Sequence, residues 1–124
     1  MLNAYLRFAK EVSKIRGFDH ILEVFLPNVN LPGMDLEKRG QYTADSIMRT
    51  MNYLRRRERP LFIKTAYTTK EIWKELTQFD PTLIIGALGG ARQNARATLT
   101  LAYDVTECGG KVILFGRAVF QEDN

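Results

Sequence analysis

The chain has 124 residues, 45% hydrophobic and 26% charged, with a formal charge of +4 at pH 7; this length suits one domain, and the composition is that of a folded globular protein rather than a disordered one. No apolar run approaches the roughly 18 residues that would span a bilayer, and the charged start "MLNAYLRFAKEV" is unlike a secretory signal, so a cytoplasmic location without a membrane partner is expected. One cysteine, Cys108, and one histidine, His20, exclude an intrachain disulfide and a Cys/His metal site; no metal or other cofactor is expected, although carboxylates could still bind magnesium through a substrate phosphate, and the positive charge favours anionic partners.

In chain order, residues 2 to 16 place Leu2, Tyr5, Phe8 or Ala9, Val12 and Ile15 at steps of three and four, the stripe of an amphipathic helix that Gly17 ends. "HILEVFLP", 20 to 27, reads as a strand. "NVNLPGMDLEKRGQY" reads as a loop, rich in turn formers. A second helix runs from Thr43 to Arg57 through Ala44, Ile47 or Met48, Met51 and Leu54, with Arg55, Arg56, Arg57 and Arg59 in and just past its last turn, where cations suit the negative end of the helix dipole. "LFIKTAY", 61 to 67, is a second strand. Thr68 and Glu71 form a capping-box signature for a third helix with Ile72, Leu76 and Phe79 inward. "TLIIGALGG" is a third strand, residues 91 to 108 a fourth helix with Ala95, Leu99 and Ala102 on one face, and "KVILFGRAVF" a fourth strand.

Helices alternating with strands imply a parallel sheet with right-handed crossovers, an (αβ)4 unit over residues 1 to 124. Two arrangements fit. In one, the helices lie on the outer face of half a TIM (β/α)8 barrel, which leaves the concave face and two strand edges open and calls for dimerisation to complete eight strands. In the other, helices cover both faces of a flat, doubly wound sheet.

Strand alternation puts Phe62, Lys64 and Ala66 on one face and Leu61, Ile63, Thr65 and Tyr67 on the other. Both faces are expected to be buried, which makes Lys64 a buried lysine: either a neutral-amine nucleophile able to form a Schiff base or the partner of a neighbouring-strand carboxylate such as Glu23. "GALGGAR", 86 to 92, joins a strand end to a helix start with paired glycines, Gly89 and Gly90, that let backbone approach a phosphate; Gly116 and Arg117 stand at the end of the last strand. If these turns follow strands seven and eight of a barrel, they form the place where barrels frequently hold a phosphate. The arginine cluster lacks interleaved aromatics, so a nucleic-acid partner is not expected. Trp73 and Cys108 read as packing residues.

"LFIKTAY", "LIIGALGG" and "GGKVILFGRAVFQEDN", in that order, resemble the C-terminal half of class I aldolases of the archaeal/bacterial fructose-bisphosphate aldolase type, relatives of deoxyribose-phosphate aldolase. The resemblance spans residues 18 to 123 and is strongest from 60 onward. It implies that Lys64 is the Schiff-base lysine of barrel strand six, that Gly89 and Gly90 form the phosphate turn after strand seven, and that Gly116, Arg117, Phe120 and Gln121 match the end of strand eight. It implies a phosphorylated carbonyl substrate such as a sugar phosphate. Matched onto that barrel, the chain starts at the helix before strand five, and the acidic proton-transfer residue of the family's first strand has no counterpart. Glu23 and Tyr67 are the nearest replacements. Three functions stay open: an aldolase-like half-barrel acting as a homodimer or higher homo-oligomer, a module that binds phosphate or a sugar phosphate without turnover, and a piece that folds by self-association or with another chain.

Overall fold

The computed structural model describes residues 2–91 and 93–120. Helix α1 (Leu2–Val12) precedes β1 (Leu22–Val24); α2 (Leu36–Asn52) and a 3-10 turn at Arg56–Glu58 precede β2 (Phe62–Thr65); α3 (Lys70–Phe79) precedes β3 (Ile84–Leu88); α4 (Ala95–Glu107) precedes β4 (Val112–Leu114), and a short α5 (Arg117–Phe120) follows. The four strands form one parallel sheet in the order β1-β2-β3-β4. The expected alternation of helices and parallel strands is therefore the fold.

One face of that sheet carries the core. Ile63, Ile85 and Ala87 lie in a single buried cluster with Ala9 of α1, Ala44, Ile47 and Met51 of α2, Ile72, Trp73 and Leu76 of α3, and Val105 of α4. Phe62, Ile84, Leu88, Val112 and Leu114, which alternate with the core residues, are only half-buried and lie outside the cluster. Sequential strand order joined by right-handed crossovers keeps every helix on the same side. The flat, doubly wound alternative, which needs helices on both faces, is not the arrangement of this chain. Among the described residues, no helix is long and apolar enough to cross a membrane.

Several boundaries differ from the sequence reading, each for a local reason. The segment read as a loop before Thr43 is helical from Leu36, because Asp35 caps it by accepting from the Lys38 backbone N–H at 2.8 Å. The same helix ends at Asn52, so the arginines lie beyond its last turn, and Arg56 and Arg57 belong to the 3-10 turn. The cap of α3 is Thr69 rather than Thr68: its hydroxyl accepts from Ile72 N–H at 3.3 Å. On α4, Leu101 and Val105 face the core while Leu99 is 70% exposed, so the stripe of Ala95, Leu99 and Ala102 is not the packing face. The last strand stops at Leu114, and Arg117–Phe120 coils into a helical turn closed by Phe120 N–H donating to Gly116 carbonyl at 3.1 Å.

Two polar contacts set the entry of the strands. Leu61 N–H donates to the His20 carbonyl at 2.8 Å, aligning the starts of β1 and β2. Arg59, before β2, pairs with the largely buried carboxylate of Asp80, before β3, and Asp80 also accepts from the Thr82 hydroxyl at 2.7 Å and backbone N–H at 2.9 Å. The bonds from Thr82, and the cation of Arg59 after them, hold the Asp80 carboxyl below its ordinary value against the opposing effect of burial. A carboxyl whose folded value is depressed adds stability above its ordinary range near pH 4 and loses it as the pH falls through the folded value. Asp80→Asn should therefore lower the urea midpoint at pH 7 and flatten the loss of stability below about pH 4, measured by urea unfolding across pH.

Trp73 anchors the other end of β2. Its buried indole donates Nε1–H to the Ala66 carbonyl at 3.0 Å. Trp73→Phe leaves that carbonyl without its donor and should cost about 1–3 kcal/mol in urea unfolding, with an unchanged helix signal in circular dichroism.

Candidate functional site

Lys64, expected on a buried face, lies instead on the half-buried face away from the helices, because every helix packs on the opposite side of the sheet. Register places Glu23, Lys64, Gly86 and Val112 side by side across the four strands. Lys64 Nζ is 3.0 Å from Glu23 Oε1, with the lysine side chain 25% and the glutamate 39% exposed. On the other side of Lys64, Gly86 presents no side chain; a Cβ there would come within 3.0 Å of Val112 Cβ. The amine is thus a solvent-reachable group with a carboxylate on one flank and a bare backbone on the other. Its stem is set in an apolar surface of Phe62, Ile84, Leu88, Val112 and Leu114, and Ile21 and Phe25, which flank β1, are 55% and 68% exposed.

The two glycine turns meet at the C-terminal ends of β3 and β4. Gly89 is buried against the last strand: a Cβ on it would stand 2.7 Å from Phe115 Cδ1 and 2.9 Å from Phe115 Cα. Only glycine allows β3's exit to pass so close to β4's exit. Gly90 takes φ +65°, the left-handed region that releases the chain toward α4. Gly116 and Arg117, directly after Phe115, are exposed. Gly89, Gly90, Gly116 and Arg117 therefore share one end of the sheet. Arg92 and Gln121, the other polar members of these sequence motifs, lie outside the described residues.

Tyr67 stands apart from Lys64. Its ring packs on the helix side against Trp73, at a centroid distance of 5.5 Å, and joins the margin of the core. Burial above all, with Cys108, Asp104 and Glu71 nearby, pushes its hydroxyl up to about 12. This placement follows from strand alternation continued past Thr65 and leaves Glu23 as the ionisable group that the structure brings to Lys64. His20 sits at the entry end of β1, opposite the glycine turns; its Nε2 meets the Tyr5 hydroxyl at 3.0 Å, and burial lowers its pKa against the raising effect of Asp19. Cys108 is buried, with Sγ 3.7 Å from the Lys70 carbonyl.

Sequence reasoning singled out Lys64 and its glutamate partner but not Gly86. The available signal was a lone glycine inside the strand "LIIGAL", a position that often marks close approach of another group. A separate internal cavity, lined by Thr43, Thr65, Thr68 and Trp73 among others, measures about 10 Å³, room for one water at most and not for a ligand. Among the described residues, no three His, Cys, Asp or Glu side chains gather as a metal site would need.

The chain matches no known protein-family model and no curated protein. The geometry of the site is therefore what bears on function.

Because the Lys64–Glu23 pair is partly exposed, solvent screens it and its contribution to stability is small. Lys64→Met, which keeps the apolar stem in the same surface, should change the unfolding free energy by no more than about 1 kcal/mol. Urea unfolding of both proteins measures this; a loss several times larger would mark the pair as a structural tie.

Proposed function

We propose that the protein is an aldolase-like half-barrel in which Lys64 forms a Schiff base with a phosphorylated carbonyl compound. The observation that carries this reading is a reachable lysine at 3.0 Å from a carboxylate on the uncovered face of a parallel sheet, at the same time as four glycine-turn residues gather at that sheet's C-terminal end. Open parallel sheets and barrels bind their ligands at this end of the strands. The barrel is completed by a second copy, which covers the apolar face.

In this reading Lys64 passes a proton to Glu23, and the freed amine attacks the carbonyl carbon. Protonated Glu23 then returns a proton to the carbinolamine hydroxyl, which leaves as water as the iminium forms. The iminium accepts the electron pair of the bond between the α and β carbons as that bond breaks, leaving an enamine on Lys64, while the carboxylate takes the proton of the β hydroxyl and that fragment leaves as an aldehyde; Glu23 then returns the proton to the enamine α carbon, and water hydrolyses the resulting iminium, freeing the second carbonyl product and the Lys64 amine. Backbone N–H groups around Gly89 and Gly90, together with the Arg117 guanidinium, hold the phosphate. No cofactor enters this scheme.

A second reading has its own support. The pairing of Lys64 with Glu23 already satisfies both charges, which is what a structural ion pair needs, and the same face then serves for binding phosphate or a sugar phosphate, or for assembly, without turnover.

Borohydride reduction with a panel of phosphorylated and free carbonyl compounds, read by intact mass, separates the two. A substrate-dependent mass gain is expected in the native chain, absent in Lys64→Met and reduced about tenfold or more in rate in Glu23→Gln, in line with the 10²–10⁴-fold contribution typical of a positioned acid–base group. A folded protein that gives no adduct with any compound supports the binding reading.

A further inference from the structure

The two edges of the sheet differ in charge. The segment of β1 and its approach, "DHILEVF" at 19 to 25, contains Asp19 and Glu23 and no lysine or arginine, and since Glu23 already pairs with Lys64 the remaining acid of this edge is Asp19; that of β4 and its exit, "KVILFGR" at 111 to 117, contains Lys111 and Arg117 and no acid. Each edge strand is three residues long, and each has neighbours on one side only. Asp19 and Lys111 are both exposed at the entry ends of their strands, and Lys111 Nζ also donates to the Pro81 carbonyl at 3.4 Å. Apolar residues of the first and fourth helices are also exposed: Leu2 and Phe8 of α1 are 41% and 49% exposed, and Leu99 and Tyr103 of α4 are 70% and 63% exposed.

We infer that a second copy of this chain docks with its β4 edge beside the β1 edge of the first, in parallel, and that a two-fold axis repeats the junction so that eight strands close. This rests on the half-barrel reading above and adds which edges meet. Charge decides among the pairings. Joining β1 to β1 sets acid against acid and joining β4 to β4 sets base against base, whereas β4 beside β1 sets opposite charges together at both junctions. Direction agrees with charge, because two-fold pairing of identical edges is antiparallel and only the unlike edges extend the parallel sheet. Closure also gives the open apolar face an interior and removes both unpaired edges. One consequence concerns the site: Gly116 and Arg117 of the partner subunit come to the strand next to Glu23, so the phosphate turn of one copy borders the Lys64–Glu23 pair of the other.

The test uses two single variants at exposed positions, Lys111→Glu and Asp19→Lys, and their equimolar mixture, with mass in solution by sedimentation and folding by circular dichroism. The native chain is expected at twice its 14.2 kDa mass. Each variant alone places like charges at both junctions and should raise the dimer dissociation constant roughly 5-fold or more, about 1 kcal/mol in binding. The mixture restores opposite charges at both junctions and should recover native association. A native monomer at all concentrations, a dimer indifferent to the single variants, a mixture that fails to recover, or open chains growing beyond two copies would each overturn the inference. Imine trapping on the same samples keeps the two proposals separate: a closed dimer without an adduct removes the aldolase reading alone, and an adduct on a monomer removes the dimer alone.

Discussion

The handedness of the strand connections is the constraint on which the remaining architecture depends. When parallel strands are laid side by side in chain order, right-handed crossovers send every connecting helix to the same side of the sheet. The core residues of α1, α2, α3 and α4 accordingly meet one set of strand positions, Ile63, Ile85 and Ala87 among them, in a single buried cluster. The alternate positions are left half-buried and lie outside that cluster. A sheet with one dry face and one open apolar face has two unsatisfied requirements, cover for the face and partners for its edges.

The Lys64–Glu23 pair belongs to that open face, and this explains how a lysine is tolerated in the apolar strand "LFIKTAY". Its charge is met by Glu23 at 3.0 Å while a quarter of the side chain keeps contact with solvent. The same strand shifted by one residue would drive the lysine into the core beside Trp73 and Ile47, where an unpaired cation is costly.

The glycines show a division of labour at the exit end of the sheet. Gly89 permits close contact with Phe115, Gly90 supplies the left-handed turn, and Gly86 keeps the flank of Lys64 free of a side chain. Three glycines within five residues of one strand and its exit would be a poor choice for strand stability alone, since each forfeits packing and adds entropy to the unfolded chain. The positions of Gly86 and Gly89 are accounted for by what lies close to the backbone, and that of Gly90 by its positive φ.

Residue periodicity was enough to determine the alternation of helices and strands and the set of residues that share a strand face with Lys64, because side-chain direction in a strand has a period of two and in a helix of 3.6; Glu23 could be offered as a partner, and the pairing of β1 with β2 is what puts it beside Lys64. Periodicity was also enough to separate Tyr67 from Lys64 by parity. Boundaries were less legible: Asp35 as a cap, Thr69 in place of Thr68, and the helical turn at Arg117 are each set by a hydrogen bond whose partner a linear pattern does not name. The choice between one-sided and two-sided helix cover was invisible, since both produce apolar strands separated by amphipathic helices. Strand order decides it, and strand order is a property of long-range pairing: β2 takes both β1 and β3 as neighbours, and Gly86, silent in composition, becomes the residue beside Lys64 only once β3 is laid against β2.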